Sequence, residues 1–275
     1  MAVPGSPEPL ALVDLAAGIA RRAADLLLEG ARDVRRSVET KSSSTDMVTE
    51  MDRASEALIV KALLDARPTD GVVAEEGSAR ASASGLRWVI DPLDGTTNYL
   101  YGHPGWAVSI AAEEVDDEGG SQVVAGVVLD AVHDELFTAA IGHGALRNGV
   151  PIRCSDQTDV SRALVATGFG YLPARREGQA EVLVKLLPRI RDIRRMGAAS
   201  VDLCSVACGR VDAYFERGLS WWDLAAGGLI ATEAGSTLSD LEGGPVTAGS
   251  VFASANAISA PLRELLGSLG AHDVP

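Results

Sequence analysis

The apolar run Trp-Val-Ile at residues 88–90 ends in two carboxylates, Asp91 and Asp94, which flank a proline and a leucine. A glycine, two threonines and an asparagine follow directly. A short apolar run of this kind is consistent with a buried strand, and open α/β sheets bind their ligands at strand ends. Because hard divalent cations prefer oxygen ligands, the segment predicts a magnesium site for phosphate chemistry at a sheet edge.

Apolar spacing predicts alternating helices and strands along the chain. Spacings of three and four residues indicate helices over 10–36 and about 52–66. Beyond about residue 160, we expect strands alternating with helices at 177–187, 199–208, 223–234 and 261–269. Asn148-Gly149 is typical of a hairpin turn. This order predicts a parallel or mixed sheet covered by helices.

The composition narrows the class of partner. The 275-residue chain is 47% hydrophobic and has a formal net charge of −14. Broad binding to nucleic acid or to an anionic membrane is not expected, because both need a basic surface. No apolar run approaches the roughly 18 residues that span a bilayer, and residues 1–9 do not resemble a signal peptide. We therefore expect a cytoplasmic enzyme.

Three further acidic positions stand in a setting similar to that of Asp91 and Asp94. Asp52 precedes or opens a helix, Glu75 ends a β-type run, and Asp223 opens a later helix. Helix capping accounts for any one of these alone. However, residues 91–96 carry more oxygen ligands than a cap needs, and no helix follows Glu75. The pattern also lacks the register of an EF-hand, so we expect one shared carboxylate site.

Five segments, taken in order, resemble the inositol monophosphatase family. They are residues 41–52, 75–77, 91–98, 212–216, and 222–227 with 233–235. The match runs from about residue 10 to residue 265. The resemblance implies an α/β (α+β) fold, a layered αβαβα sandwich shared with fructose-1,6-bisphosphatase, and a homodimer.

The same resemblance implies which residues hold metal. Two Mg²⁺ ions are expected, with a third, weaker one near Glu75. The implied ligands are Glu75, Asp91, Asp94, Asp223 and the backbone carbonyl of Leu93. The order of predicted strands and helices changes near residue 160. This change predicts an N-terminal lobe, 1–160, with most of these ligands. The C-terminal lobe, 161–275, would carry Asp223 and the substrate contacts, and the two would form one compact catalytic unit.

The family's catalytic and substrate-binding positions can also be carried over. Asp52 and Thr96, together with Glu75, would act on the attacking water. The implied substrate contacts are Gly95, Thr96, Ala198, Ala199, Glu216 and Asp223.

The implied activity is that of a phosphoric monoester hydrolase, an inositol-phosphate phosphatase. It would hydrolyse an inositol monophosphate to myo-inositol and phosphate through metal-activated water, and Li⁺ would inhibit it. The same chemistry on histidinol phosphate, fructose 1,6-bisphosphate or a 3′-phosphoadenosine nucleotide stays open, because a fold does not fix a substrate. A non-catalytic partner-binding scaffold is an alternative of another class, although the complete carboxylate set argues against it.

A basic cluster in the second half has two interpretations. Arg191, Arg194 and Arg195 lie on a predicted short strand. They could steer a phosphate or reach another subunit's site, or they could be a solvated edge held by ion pairs. The sequence leaves both open.

Overall fold

The computed structural model describes residues 8–31, 38–40, 47–116 and 119–274. Its helices are α1 (Pro9–Gly30), α2 (Glu50–Ala66), α3 (Thr96–Tyr101), α4 (Pro173–Leu186), α5 (Ala199–Ala207), α6 (Trp221–Glu233) and α7 (Asn256–Ser268). The strands of the first half are β1 (Val38–Thr40), β2 (Met47–Thr49), β3 (Gly71–Ala74), β4 (Ala79–Arg80), β5 (Leu86–Asp94), β6 (Ala107–Val115), β7 (Ser121–Asp130), β8 (Glu135–Ala140), β9 (Ala145–Arg147) and β10 (Val150–Ile152). Those of the second half are β11 (Leu164–Thr167), β12 (Asp192–Arg194), β13 (Ala213–Arg217), β14 (Thr237–Ser239) and β15 (Ser250–Ser254).

Two large mixed sheets organise the chain. The first has eight strands in the order β10-β9-β8-β7-β6-β5-β3-β4 and is antiparallel except where β3 runs parallel to β5. The second has five strands in the order β12-β11-β13-β15-β14, with β12, β11 and β13 parallel. Strands β1 and β2 form a separate antiparallel pair. The expectation of a mixed sheet covered by helices is confirmed.

The buried apolar residues form four clusters, and each cluster lies between one helical layer and one sheet. Helices α1 and α2 pack on one face of the eight-stranded sheet. Helices α5 and α6 pack on its other face and also contact the five-stranded sheet. The remaining face of the five-stranded sheet is covered by α4 and α7. The result is an αβαβα sandwich, as the resemblance implied.

Strand β5 shows why its sequence is a continuous apolar run. Both of its faces are covered by helices, so Trp88, Val89 and Ile90 are all buried, as expected for a strand between two helical layers. The indole N–H of Trp88 donates to Asp70 Oδ2 at 2.9 Å, which satisfies the one polar group of this side chain. The first half of β5 is thereby fixed in the centre of the sandwich.

Several predicted element bounds were wrong. The final helix begins at Asn256, not at Pro261, and keeps this proline inside it. The helix expected over 177–187 already begins at Pro173, because proline is tolerated in the first turn. The first helix ends at Gly30, and residues 32–36 of its predicted span lie outside the described residues. The division into lobes at residue 160 stays a prediction.

In the part of the chain that the structure describes, no helix is both long and apolar enough to cross a membrane.

Candidate active site

A cleft of about 860 Å³ opens at the end of β5, between the two sheets. It brings together all the predicted site residues except Asp52, although many are far apart in the sequence. Those that line it are Glu75, Asp91, Leu93, Asp94, Gly95, Thr96, Ala198, Ala199, Glu216 and Asp223.

An irregularity in β5 sets the direction of its two carboxylates. Asp91 pairs with Ser109 of β6 and Asp94 with Ala107, so β5 contains one extra residue between these pairs. Such a bulge re-aims side chains and is frequent next to active sites. The backbone N–H of Leu93 donates to Asp91 Oδ1 at 3.0 Å inside the bulge. The Asp-Pro-Leu-Asp sequence therefore presents both acids to one cleft.

Asp91, Asp94 and Asp223 form a compact oxygen cluster. Each offers one carboxylate oxygen, and these atoms lie within 4.8 Å of one another. Glu75 lies beside them, within hydrogen-bonding reach of the Asp91 carboxyl group. A buried set of carboxylate oxygens suits a hard divalent cation, so the residues present fit the metal that the family resemblance implies.

The cluster is anchored from the second half of the chain. Asp94 Oδ2 accepts hydrogen bonds from Ser200 N at 2.7 Å and from Ser200 Oγ at 2.6 Å. Asp223 Oδ2 accepts one from Ser220 N at 2.6 Å, within a capping box at the start of α6. Hydrogen bonds of this kind orient carboxylates for metal binding.

The carboxylates are costly to ionise together without a cation. Burial, followed by repulsion from Asp223, raises the pKa of Glu75 to about 8. Burial, with Asp94 as the next cause, raises the pKa of Asp223 to about 7. Burial also raises the pKa of Asp91 and of Asp94. A bound cation removes this conflict, because it favours the ionised form of each group.

Asp52 lies outside the cleft wall. It is in the first turn of α2 and only 3% exposed. After burial and Asp223, its negative charge is a further cause of the raised pKa of Glu75. Its action on the attacking water stays a prediction.

Gly95 is required by its surroundings. Its φ of 90° lies in the left-handed region, and a Cβ there would lie 3.0 Å from Gly105 O and 3.2 Å from the Ala198 Cβ. Glycine alone adopts this conformation without strain. Thr96 follows as the first residue of α3, and its hydroxyl donates to Leu93 O at 3.2 Å.

The second half of the chain contributes Glu216 at the end of β13. Its Oε2 accepts a hydrogen bond from Tyr214 Oη at 2.7 Å. A methyl group at Gly168 would overlap this carboxylate. Burial raises the pKa of Glu216 to about 7. The contacts with Tyr214 and Gly168 confine this carboxylate at the wall of the cleft.

Sequence reasoning missed Ser200 and Asp202 on α5. Asp202 is buried, and its Oδ1 has no hydrogen-bond partner among the described residues. Burial and then the charge of Glu216 raise its pKa well above the usual value. An acid in a helix that otherwise holds only apolar residues and two serines is the available signal for Asp202. Ser200 gave none, because its partner Asp94 is 106 residues away.

The structure separates the three arginines of the basic cluster. Arg194 pairs with Asp192 at 2.9 Å, and Arg191 Nε donates to Arg162 O at 3.1 Å. Of the three, only Arg195 lines the cleft.

Comparisons with known proteins agree with this geometry. Residues 9–271 match the model of the inositol monophosphatase family. Inositol-1-monophosphatase SuhB of Mycobacterium tuberculosis is 44% identical over 225 residues, which are 78% of this chain and 76% of that protein. Nus factor SuhB of Pasteurella multocida is 38% identical over 262 residues, 94% and 95% of the two chains. The solved inositol monophosphatase of Anabaena superposes with a TM-score of 0.81 at 34% identity, covering 97% of each chain. The chain belongs to the inositol monophosphatase family.

Proposed function

We propose that the protein is a Mg²⁺-dependent phosphomonoesterase that hydrolyses an inositol monophosphate to myo-inositol and phosphate. The observation that carries the proposal is the convergence of Asp91, Asp94 and Asp223 within 4.8 Å in a cleft. Membership of the family supports the substrate class, as does the name of the relative from M. tuberculosis.

Glu75, Asp91, Asp94 and Asp223, with the carbonyl of Leu93, would hold two or three Mg²⁺ ions. When bound, Mg²⁺ supplies a nucleophile near neutral pH and stabilises charge on the transferred phosphoryl group. The chain itself contributes the fixed positions of these oxygens, through the bulge of β5 and the anchors described above. Preorganised ligands are the protein's main contribution in such sites.

Thr96 is suited to position the attacking water. Its hydroxyl hydrogen is directed at Leu93 O, so the lone pairs of Oγ1 are available to accept a hydrogen bond from water. Asp52 and Glu75 would complete this arrangement. The backbone N–H groups of Gly95 and Thr96 would bind the phosphate.

Glu216, Ala198 and Ala199 would bind the polyol. Tyr214 occupies one oxygen of Glu216, and a carboxylate has further lone pairs for substrate hydroxyls. Histidinol phosphate, fructose 1,6-bisphosphate and a 3′-phosphoadenosine nucleotide are alternative substrates for the same chemistry.

The proposal is tested by phosphate release from myo-inositol 1-phosphate with and without Mg²⁺. Asp94→Asn should abolish turnover and leave the melting temperature close to that of the wild type in the absence of metal. Asp192→Asn is the matched control, because it makes the same change on an exposed acid outside the cleft. Metal-independent release, or full activity of Asp94→Asn, would refute the proposal.

A homodimer, a cytoplasmic location and inhibition by Li⁺ belong to the same proposal. The homodimer is supported by two exposed apolar side chains at the end of α4 and directly after it, because Val184 is 75% and Leu187 50% exposed. Light scattering should give twice the 28.5 kDa of one chain. Leu187→Asp should halve this mass, whereas Val150→Asp, on β10, should not.

A non-catalytic, partner-binding role is the second candidate. One observation favours it: a relative named Nus factor SuhB covers nearly the whole chain. The two candidates separate in the Mg²⁺ assay, because a scaffold alone releases no phosphate from any monoester.

A further inference from the structure

We propose that Glu113 is a positioning residue of the metal site. Through the indole of Trp221 it sets where the first turn of α6, and with it Asp223, lies relative to Asp91 and Asp94. This inference rests on the proposed function. It adds a group that does not line the cleft but on which the geometry of the metal ligands depends.

Glu113 is a fully buried carboxylate on β6, and both of its oxygens have donors. Arg87 lies directly opposite on β5, and its Nε donates to Glu113 Oε1 at 2.5 Å. The indole N–H of Trp221, the first residue of α6, donates to Glu113 Oε2 at 3.1 Å. A buried charge is tolerated when it is paired and hydrogen-bonded. The arginine therefore holds a carboxylate in the sheet, and the second oxygen of this carboxylate holds Trp221.

The position of the first turn of α6 matters because the anchor of Asp223 is local. Its carboxylate accepts from Ser220 N within the capping box, so this bond moves with the helix and does not fix it to the sheet. Asp91 and Asp94, in contrast, belong to β5. The distance between these two groups of ligands therefore depends on how the first turn of α6 docks on the sheet.

Strand β6 holds this turn at two points. Ser109 pairs with Asp91 across the two strands, and its hydroxyl donates to Trp222 O at 3.4 Å. Glu113 holds Trp221 from a position roughly 13 Å further along β6, on the same face of the strand. Two separate points fix the rotation of the helix as well as its distance from the sheet. Without the Trp221 bond, the longer contact of Ser109 remains alone.

The far end of α6 has a comparable anchor. Glu233 accepts from Gly142 N at 2.9 Å and from Gly144 N at 2.8 Å, in the turn between β8 and β9. It lies about 15 Å along the helix axis from Asp223. Glu233 thus offers a matched control, an acid that fixes the same helix to the same sheet but far from the metal ligands.

The test is titration calorimetry of Mg²⁺ into the substrate-free protein, together with the Mg²⁺ midpoint for phosphate release from myo-inositol 1-phosphate. Trp221→Phe removes the indole N–H, and Glu113→Gln leaves one oxygen for two sets of donors. Each should weaken Mg²⁺ affinity by about 3- to 10-fold, less than the roughly 10- to 100-fold typical for direct partners of metal ligands. At saturating Mg²⁺, kcat should return close to the wild-type value. Glu233→Gln should keep the wild-type affinity.

The double variant tests whether Glu113 acts through Trp221. It should bind Mg²⁺ about as tightly as the weaker of the two single variants, because both changes break the same hydrogen bond. Affinity losses that multiply in the double variant would refute this connection.

The outcomes separate the positioning role from the proposed function. If the wild type binds Mg²⁺ but releases no phosphate from any monoester, the proposed function fails, and the calorimetry still decides the role of Glu113. If Trp221→Phe and Glu113→Gln keep the wild-type Mg²⁺ affinity, or if Glu233→Gln weakens it equally, the positioning role is refuted while the proposed function stands. Thermal melts verify that the variants are folded, and Trp221→Phe leaves the pair of Arg87 and Glu113 intact.

Discussion

Ser200→Ala tests whether the fold, rather than the carboxylates alone, builds the metal site. Ser200 donates to Asp94 Oδ2 twice, through its backbone N–H and its hydroxyl. The substitution removes only the hydroxyl. A hydrogen bond to a charged group contributes about 1.5–3 kcal/mol, which is roughly a 10- to 100-fold change in an equilibrium constant. Because the N–H remains, we expect the lower end, an Mg²⁺ affinity weakened by about 10-fold.

The pH dependence of this defect has a defined sign. The Ser200 hydroxyl lowers the pKa of Asp94 against the larger effect of burial. Without it, the pKa rises further, and protons compete more strongly with Mg²⁺ as the pH falls. The affinity loss should therefore be larger at pH 6 than at pH 8.

The measurements are the Mg²⁺ midpoint for activation of phosphate release and direct titration calorimetry. Ser205→Ala is the matched control, because it removes a buried hydroxyl from the same helix without a contact to Asp94. An unchanged Mg²⁺ midpoint in Ser200→Ala, at either pH, would refute the reasoning.

Two further predictions follow from the cleft. Mg²⁺ binding near pH 7 should release about one proton or more, because Glu75 and Asp223 have pKa values of about 8 and about 7 without metal. Calorimetry in two buffers of different ionisation enthalpy measures the number of protons released. Zero release would contradict the pKa shifts. Gly168→Ala should raise KM for the polyol phosphate, because the methyl group of the new alanine displaces the Glu216 carboxylate. The Mg²⁺ midpoint should stay close to that of the wild type. An unchanged KM would argue against the role of Glu216.

Local features could be predicted from the sequence because their causes are local. The Asn148-Gly149 hairpin turn is confirmed between β9 and β10, where both residues have positive φ. The apolar run of β5 and the acids at its end were also recognisable, since burial on two faces leaves a continuous apolar pattern.

Contacts between distant segments could not be predicted in this way. Neither the pairing of Ser200 with Asp94 nor the burial of Asp202 follows from periodicity, because both depend on how α5 packs between the two sheets. The arginines show the same limit. Arg191, Arg194 and Arg195 look alike in the sequence, and only the path of the chain after β12 places one of them in the cleft.

The anchoring pattern connects catalysis to folding. Asp91 and Asp223 are each held by a backbone N–H that is near in sequence, from Leu93 and from Ser220, whereas the anchor of Asp94 comes from α5. The carboxylates therefore adopt their positions only when α5 and α6 are docked on the eight-stranded sheet. Because a cation that binds these oxygens binds the docked arrangement in preference to the undocked one, the free energy of metal binding adds to the stability of the central layer. The docking of α5 and α6 therefore brings the carboxylates together and also joins the two sheets.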